Sequence, residues 1–130
     1  MPDSTVLVVD DDPVILKLLE VNFEMEGFTV LVARDGQEGI DVATRDQPDL
    51  VVSDIMMPKK SGLELVIALK GDASTRDIPI ILLSAKAQNA DVRSGLEAGA
   101  DDYVTKPFEP LDLVDRVNRL LEARPSKRPS

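Results

Sequence analysis

Short apolar runs alternate along the chain with longer segments in which apolar residues recur at the spacing of a helix. Most of the runs are rich in Val, Ile or Leu and are too short for a helix, which is typical of strands buried in a parallel sheet. The runs occupy residues 5–9, 28–33, 49–54, 79–84 and 101–105. Because a helical segment follows each run, the pattern predicts five consecutive strand–helix units.

Five strand–helix units predict a single α/β domain. Parallel strands joined by right-handed helical crossovers carry helices on both faces of the sheet. We therefore expect a doubly wound, three-layer arrangement. In sheets of this kind ligands bind outside the carboxyl ends of the strands, so the residues that end each strand are the candidates for function.

Local signals mark where the helices begin and end. Asp12 is a predicted N-cap, Pro13 suits the first helical position, and Gly27 follows the predicted end of the first helix. Ser61 and Glu64 have the spacing of a capping box at the start of the third helix. These signals give the strand–helix pattern defined boundaries.

Length and composition place the chain among ordinary globular proteins. Its 130 residues, of which 43% are apolar, suffice for one domain with a hydrophobic core. No apolar run approaches the ~20 residues of a membrane span, and the N-terminus lacks a signal-peptide pattern, so we expect a cytoplasmic protein without a membrane partner. The domain is expected to cover residues 1–124, and 125–130 to form a flexible tail or the start of a linker.

The absence of two residue types limits the chemistry. The sequence contains no cysteine and no histidine, so a metal would be held by oxygen, which favours Mg²⁺, Mn²⁺ or Ca²⁺. The net charge is −9, which argues against direct nucleic-acid binding by this domain, since such binding depends on Lys and Arg contacts to phosphate.

Residues suited to phosphate chemistry stand at four predicted strand ends. Asp10 and Asp11 follow the first strand, Asp54 ends the third, Ser84 ends the fourth, and Lys106 follows the fifth. Carboxylates that converge at one sheet edge repel each other, and a divalent cation would relieve that repulsion. A carboxylate beside such a cation and a lysine is chemically suited to accept a phosphoryl group, because both charges stabilise the transferred oxygens.

Four segments, "VVDDDP", "DLVVSDIMMPKKSG", "IILLSA" and "GADDYVTKPF", together resemble the bacterial response-regulator receiver domain over nearly the whole chain. The resemblance implies a flavodoxin-like (βα)5 fold with strand order 2-1-3-4-5. It implies that Asp54 accepts phosphate from a phosphohistidine on a histidine kinase or a histidine phosphotransfer protein. It further implies that Asp11, Asp54 and the main-chain carbonyl of Met56 bind Mg²⁺ or Mn²⁺, with Asp10 acting nearby.

The same resemblance implies a switch. Ser84 would sense the phosphoryl group, Lys106 would contact it, Tyr103 would change rotamer, and the Lys106–Pro107 peptide would be cis. The domain would catalyse only its own phosphorylation and dephosphorylation, and so would not be an enzyme in the usual sense. The face formed by the fourth helix, the fifth strand and the last helix is similar to the dimerisation surface of receivers that carry winged-helix DNA-binding domains, which predicts a homodimer on phosphorylation. Cross-dimer ion pairs could involve Asp101, Asp102, Arg93 and Arg116.

The first helix carries two apolar faces. One is expected to face the sheet; its members are Ile15, Leu16, Leu19 and Phe23. We define the second face as the α1 stripe; its members are Val14, Leu18, Val21 and Met25. The stripe either packs against the last helix, which we favour, or stays open as a docking surface for a kinase, a use that receivers make of this helix.

Two alternative functions compete with the switch. "DDDPV" fits the Asp-x-Asp-x-Thr/Val motif of haloacid-dehalogenase-like phosphatases, with Asp10 as nucleophile. However, Pro13 starts a helix at once and leaves no room for the flap of those enzymes. The other alternative is an interaction module that binds partners without phosphorylation. A small phosphodonor would label Asp54 in a switch and Asp10 in a phosphatase, which distinguishes these two functions. An Asp54→Asn variant with intact signalling would favour the interaction module.

Overall fold

Strands and helices alternate as the sequence pattern predicts. The computed structural model describes residues 4–55, 61–84, 89–106 and 108–123. The strands are β1 Thr5–Val9, β2 Thr29–Ala33, β3 Leu50–Asp54, β4 Ile80–Ser84 and β5 Asp102–Thr105. The helices are α1 Pro13–Met25, α2 Gly36–Asp46, α3 Gly62–Lys70, α4 Asn89–Ala98 and α5 Pro110–Ala123. None of the helices in these ranges has both the length and the apolar character needed to cross a membrane.

The five strands form one parallel sheet in the order β2-β1-β3-β4-β5, which confirms the predicted fold class and strand order. The register brings the carboxyl ends of the strands to a common edge. Val9 is paired with Ser53, and Asp54 is paired with Leu83. Because Ser84 is paired with Thr105, the residues that follow β1 and β5 are level with the ends of β3 and β4.

The core consists of one apolar layer on each face of the sheet, because alternate residues of a strand point to opposite faces. Val6, Val8 and Val52 belong to the layer covered by α1 and α5. Leu7 and Val51 belong to the layer covered by α2 and α3. Burying each such side chain contributes about 1.5–3 kcal/mol, so the sheet that presents the strand ends is firmly held.

The predicted helix starts are present. Asp12 accepts a hydrogen bond from the main-chain N–H of Val14 at 2.9 Å, and Pro13 occupies the first turn of α1. At α3, Glu64 N–H donates to Ser61 Oγ at 3.2 Å and Ser61 N–H donates to Glu64 Oε1 at 3.0 Å, which completes the capping box. The start of α3 is therefore fixed close to the end of β3.

The α1 stripe lies open, so our preference for its packing against the last helix is wrong. Val14 is 72% exposed and Met25 is 78% exposed, and Leu18 and Val21 are also exposed. The reason is that α5 contributes its buried Leu113, Val114 and Val117 to the same cluster that takes Leu16, Leu19 and Phe23 from the other side of α1. Contact with α5 thus uses the sheet-facing side of α1 and leaves the stripe uncovered.

Candidate functional site

The three consecutive aspartates after β1 separate into three environments. Asp10 is fully buried, its N–H donates to the carbonyl of Ala33 at 3.1 Å, and its Oδ1 accepts from the N–H of Asp12 at 2.9 Å. Asp11 is exposed, whereas the Asp12 side chain caps α1. Since β1 is a central strand between β2 and β3, the residue that directly follows it is surrounded by protein.

Asp54 and Lys106 approach Asp10 from the neighbouring strand ends. Asp54 ends β3 and is 7% exposed. The Lys106 N–H donates to the carbonyl of Ser84 at 2.7 Å, which anchors its backbone. Its Nζ lies 3.2 Å from Asp10 Oδ2 and 3.4 Å from Asp54 Oδ1. One ammonium therefore bridges two buried carboxylates, as the convergence of strand ends predicted.

The lysine compensates this cluster only in part. Burial raises the pKa of Asp10 above its usual value despite the hydrogen bond from Asp12 and the charge of Lys106. Burial and the charge of Asp10 raise the pKa of Asp54. Burial opposes the charge of Lys106, but the carboxylates of Asp54 and Asp10 outweigh it and raise the pKa of the lysine. The site therefore favours additional positive charge.

The donor set fits a hard divalent cation. Carboxylate oxygens of Asp10, Asp11 and Asp54 all lie within 4.8 Å of one another. Two oxygens that bind one Mg²⁺ at about 2.0–2.1 Å can be up to roughly 4.2 Å apart, so small side-chain rotations suffice to complete the site. Carboxylate oxygen is also the ligand type that Mg²⁺ prefers. The predicted fourth donor, the carbonyl of Met56, lies outside the described residues, as does the peptide to Pro107.

Ser84 and Tyr103, the predicted switch residues, lie on adjacent strands. Ser84 ends β4 and is 3% exposed, and Tyr103 is half-buried in β5 beside Leu82. Helix α4 packs on this pair of strands through Gly95, where a Cβ would lie 2.9 Å from Leu82 Cδ1 and 3.6 Å from Tyr103 Cδ2. A glycine that is unfavourable within a helix is thus explained by the close approach of α4 to Leu82, whereas Tyr103 would be in ordinary van der Waals contact with a Cβ.

The geometry does not suit Asp10 as a nucleophile. Its Oδ1 is occupied by the N–H of Asp12, its Oδ2 faces Lys106, and the residue has no solvent-exposed surface. A phosphoryl donor would have to displace these contacts to reach it. Asp54 retains some exposure and is the more accessible of the two carboxylates.

Sequence reasoning missed two residues beside Asp54. Ser53 is fully buried and its hydroxyl donates to the main-chain carbonyl of Asp54 at 2.9 Å. Gly62, the first residue of α3, lies against the same carbonyl. The signal available for Ser53 was a polar residue within the otherwise apolar run of β3, and for Gly62 it was the place of this glycine at the end of the quoted segment "DLVVSDIMMPKKSG".

Comparison with known proteins finds similarity over most of the chain. The family model of the response regulator receiver domain matches residues 6–118. The DNA-binding dual master transcriptional regulator RpaA of Synechocystis sp. is 43% identical over 116 residues, which are 89% of this chain and 48% of that protein. The phosphate regulon transcriptional regulatory protein PhoB of Pseudomonas aeruginosa is 45% identical over 121 residues, or 93% of this chain and 53% of that protein. The chain thus spans about half the length of the curated relatives it matches.

Solved structures show the same fold. A putative response regulator from Chloroflexus aurantiacus is 34% identical with a TM-score of 0.88, over 92% of this chain and 98% of that one. The receiver domain of the sensor histidine kinase PA1611 from Pseudomonas aeruginosa is 28% identical with a TM-score of 0.86, again over 92% and 98% of the two chains. That crystal structure holds a magnesium ion coordinated in the active-site cleft.

Proposed function

This chain belongs to the response regulator receiver domain family, and on that premise we propose that it is a phosphorylation-controlled signalling switch whose phosphoryl acceptor is Asp54. The observation that carries the proposal is the cluster at the strand ends. Asp54 is a nearly buried carboxylate that shares Lys106 with Asp10, and the exposed Asp11 stands at the mouth of the same site. Such a site combines a nucleophile, Asp54, with two positive charges that can neutralise phosphoryl oxygens: the ammonium of Lys106 and a divalent cation held by the carboxylates.

In the proposed reaction an oxygen of Asp54 attacks the phosphorus of a phosphohistidine on a histidine kinase or phosphotransfer protein. The P–N bond breaks, its electron pair stays on the imidazole, and an acyl phosphate forms. Lys106 stabilises the charge that moves onto the transferred oxygens, and Ser84 donates its hydroxyl to one of them. Asp11, Asp54 and Asp10 would hold Mg²⁺, which supplies a second positive charge to the phosphoryl oxygens when bound.

The response to phosphorylation is proposed to run through β4 and β5. Movement of Ser84 toward the phosphoryl group would free space that Tyr103 can occupy. Because Gly95 lies within contact distance of Tyr103, a change of the tyrosine rotamer would alter the position of α4 on the sheet. The added charge thereby biases a two-state surface formed by α4, β5 and α5.

Two partner surfaces follow from this proposal. The α1 stripe is open, which supports docking of the histidine kinase or phosphotransfer protein on this helix. The α4–β5–α5 face is proposed to form a homodimer on phosphorylation. The curated relatives named above are transcriptional regulators, so we propose that the switch controls a transcriptional output in the cytoplasm.

Labelling with acetyl phosphate and Mg²⁺ tests the acceptor. Intact mass should show one added phosphoryl group, and peptide mapping after borohydride reduction of the acyl phosphate should place it at Asp54. The Asp54→Asn variant should remain unlabelled, and the control Asp41→Asn, an exposed aspartate of α2, should label at the wild-type rate. Label at Asp10 would instead support the phosphatase, and absence of label on the wild-type chain would leave the interaction module.

A further inference from the structure

Ser53 is a buried polar residue directly before the proposed acceptor. Its neighbours in β3, Val51 and Val52, are apolar and fully buried. A buried hydroxyl costs free energy unless it makes a hydrogen bond, and the acceptor that Ser53 finds is the main-chain carbonyl of Asp54 at 2.9 Å. The side chain therefore restrains the peptide that joins Asp54 to Ile55.

Gly62 restrains the same peptide from the other side. A Cβ at this position would overlap the main-chain oxygen of Asp54 and would lie 2.9 Å from the Cα of Ile55. Both obstacles are backbone atoms, which cannot rotate away as a flexible side chain can. The N–H of Gly62 also donates to the carbonyl of Ile55 at 3.0 Å. Only a glycine lets the start of α3 lie this close to the end of β3.

The N–H of Ile55 is fixed by the sheet, since it donates to the carbonyl of Leu83 at 2.9 Å. The Asp54–Ile55 segment is thus held by Ser53, by Gly62 and by β4. The direction of the Asp54 side chain toward Lys106 depends on this backbone. An error of about 1 Å in the position of a reacting group can slow a reaction by roughly 100-fold.

We propose that Ser53 and Gly62 are positioning residues for Asp54: they fix its main-chain carbonyl and thereby aim its carboxylate at Lys106 and at the cation site. This inference rests on the proposed function, because it assigns these residues a part in cation binding and phosphoryl acceptance. Neither residue touches the phosphoryl group. Their effect is transmitted through one peptide.

The chain offers a matched control for Ser53. Thr75 is also fully buried, and its hydroxyl donates to the main-chain carbonyl of Leu69 at 2.6 Å. This bond joins the segment between α3 and β4 to the last turn of α3, before β4 begins, and so lies toward the opposite edge of the sheet. Ser53→Ala and Thr75→Val each remove one buried hydroxyl, but only the first releases the backbone of the acceptor.

The experiment measures three quantities on each variant: the thermal unfolding midpoint, Mn²⁺ affinity by calorimetry, and the rate of Asp54 labelling by acetyl phosphate at saturating Mg²⁺. Both hydroxyl variants should show a similar fall in midpoint. Ser53→Ala should bind Mn²⁺ several-fold more weakly and label about tenfold more slowly, whereas Thr75→Val should stay within about twofold of wild type in both. Ser53→Thr, which keeps the hydroxyl, should recover most of the labelling rate.

Gly62→Ala should show the larger effect, with labelling slowed by about 100-fold. Its control is Gly39→Ala, where the atoms nearest to a Cβ are side-chain carbons of Leu65 and Val9, at 2.8 and 2.9 Å, rather than backbone atoms. If Gly62→Ala fails to fold, the comparison of Ser53→Ala with Thr75→Val still tests the inference. Wild-type Mn²⁺ affinity and labelling in Ser53→Ala would overturn the inference.

The two proposals fail differently. If the wild-type chain binds Mn²⁺ but is not labelled at Asp54, the proposed function is wrong. The positioning role is then tested by the Mn²⁺ affinity alone: weaker binding in Ser53→Ala than in Thr75→Val supports it, and equal binding overturns it. If the wild-type chain is labelled and Ser53→Ala matches it, only the positioning role is wrong. A wild-type chain that neither binds Mn²⁺ nor is labelled would overturn both.

Discussion

Asp10 and Asp54 are two nearly buried acids that share one lysine. Burial raises the pKa of both, and the charge of Asp10 adds to the effect at Asp54. The folded protein therefore holds protons on these groups more tightly than the unfolded chain does. Ionising them at neutral pH costs free energy of folding, which is the physical reason the site favours a cation.

Replacing Asp54 with Asn should stabilise the protein at neutral pH. The neutral amide removes the like-charge repulsion with Asp10, and we expect a gain of about 1 kcal/mol in the free energy of unfolding. The pH dependence of this gain follows from the raised pKa of Asp54. The unfavourable charge of the folded protein is fully present above the folded-state pKa of Asp54 and absent below the unfolded-state value of about 3.9. The gain should therefore fade as pH falls, as measured by urea unfolding across the acid range. An equal gain at all pH values would contradict this account.

Replacing Lys106 with Met should destabilise the protein at neutral pH. Two carboxylates would lose the ammonium that lies 3.2 and 3.4 Å from them. Because the lysine side chain retains 20% exposure, the loss should be about 1–3 kcal/mol, below the full cost of a buried pair. The loss should shrink at low pH, where the carboxylates are protonated. Lys17→Met, at an exposed lysine of α1, is the control and should change the free energy of unfolding by less than about 0.5 kcal/mol.

For single residues, the sequence predicts the positions of the charged side chains well and the packing contacts poorly. The convergence of Asp10, Asp54 and Lys106 follows from their places at parallel strand ends. The roles of Ser53 and Gly62 depend on how closely the start of α3 approaches the end of β3. That distance is a property of the folded backbone, and no local pattern encodes it.

Among the elements, α1 combines a buried face with an open one. Leu16, Leu19 and Phe23 are buried, whereas the α1 stripe is exposed. Periodicity separated the two faces correctly. It could not show which face α5 would contact, since a second apolar stripe suits either a helix partner or a protein partner.

Alanine at Leu18 or at Met25 should slow phosphotransfer from a partner phosphohistidine by about tenfold while lowering the free energy of unfolding by less than about 0.5 kcal/mol, because the side chains are already exposed. Labelling by acetyl phosphate, which needs no docking, should be unchanged. Ile67→Ala is the control, since Ile67 is an exposed apolar residue of α3, 56% accessible. A wild-type phosphotransfer rate in the stripe variants would exclude this surface as the docking site.

Helix α4 is the element on which the proposed switch depends. Its Gly95 lies against Leu82 and Tyr103, so a change at the tyrosine reaches it directly. Binding of beryllofluoride, a phosphoryl mimic, with Mg²⁺ should alter hydrogen exchange across residues 85–105, while exchange in β1 should stay the same. Unaltered exchange in 85–105 would contradict the proposed route from Ser84 to α4.

At the scale of the whole molecule, the proposed dimer face already contains ion pairs within one chain. Arg116 lies 2.9 Å from Asp102 and 3.2 Å from Asp112, and Lys70 lies 3.2 Å from Asp101. The carboxylate of Asp101 also accepts from the N–H of Ile80 at 2.8 Å. Asp101, Asp102 and Arg116, three of the residues expected to form cross-dimer pairs, thus have partners within the chain, and a dimer that uses them must exchange these pairs.

Sedimentation velocity should show a monomer without a phosphoryl mimic and a dimer with beryllofluoride and Mg²⁺. If Arg116 exchanges its partners across the dimer, Arg116→Ala should weaken dimerisation by up to about tenfold. Arg119→Ala is the control, because Arg119 pairs with the exposed Asp115 one turn away on α5. Equal effects of the two variants would indicate that Arg116 keeps its ion pairs within one chain and makes none across the dimer.

The overall fold could be predicted almost completely. Helix starts and the capping box agree with the pattern, and strand–helix alternation with one crossover handedness leaves few arrangements. The strand order agrees with what the resemblance to receiver domains implies. Element ends differ by a residue in places: β2 begins at Thr29 rather than at residue 28, and β3 begins at Leu50 rather than at residue 49. Such shifts reflect where hydrogen bonding begins, which composition does not determine.

The turn between β1 and α1 connects the acidic site with the α1 stripe. Asp12 donates its N–H to Asp10 and accepts the N–H of Val14, each at 2.9 Å. The first member of the stripe is therefore joined to the cation site by two consecutive hydrogen bonds. A partner docked on Val14 as proposed would be held at a fixed offset from Asp54, so this turn would act as a spacer that converts recognition of a helix surface into alignment of a phosphoryl donor.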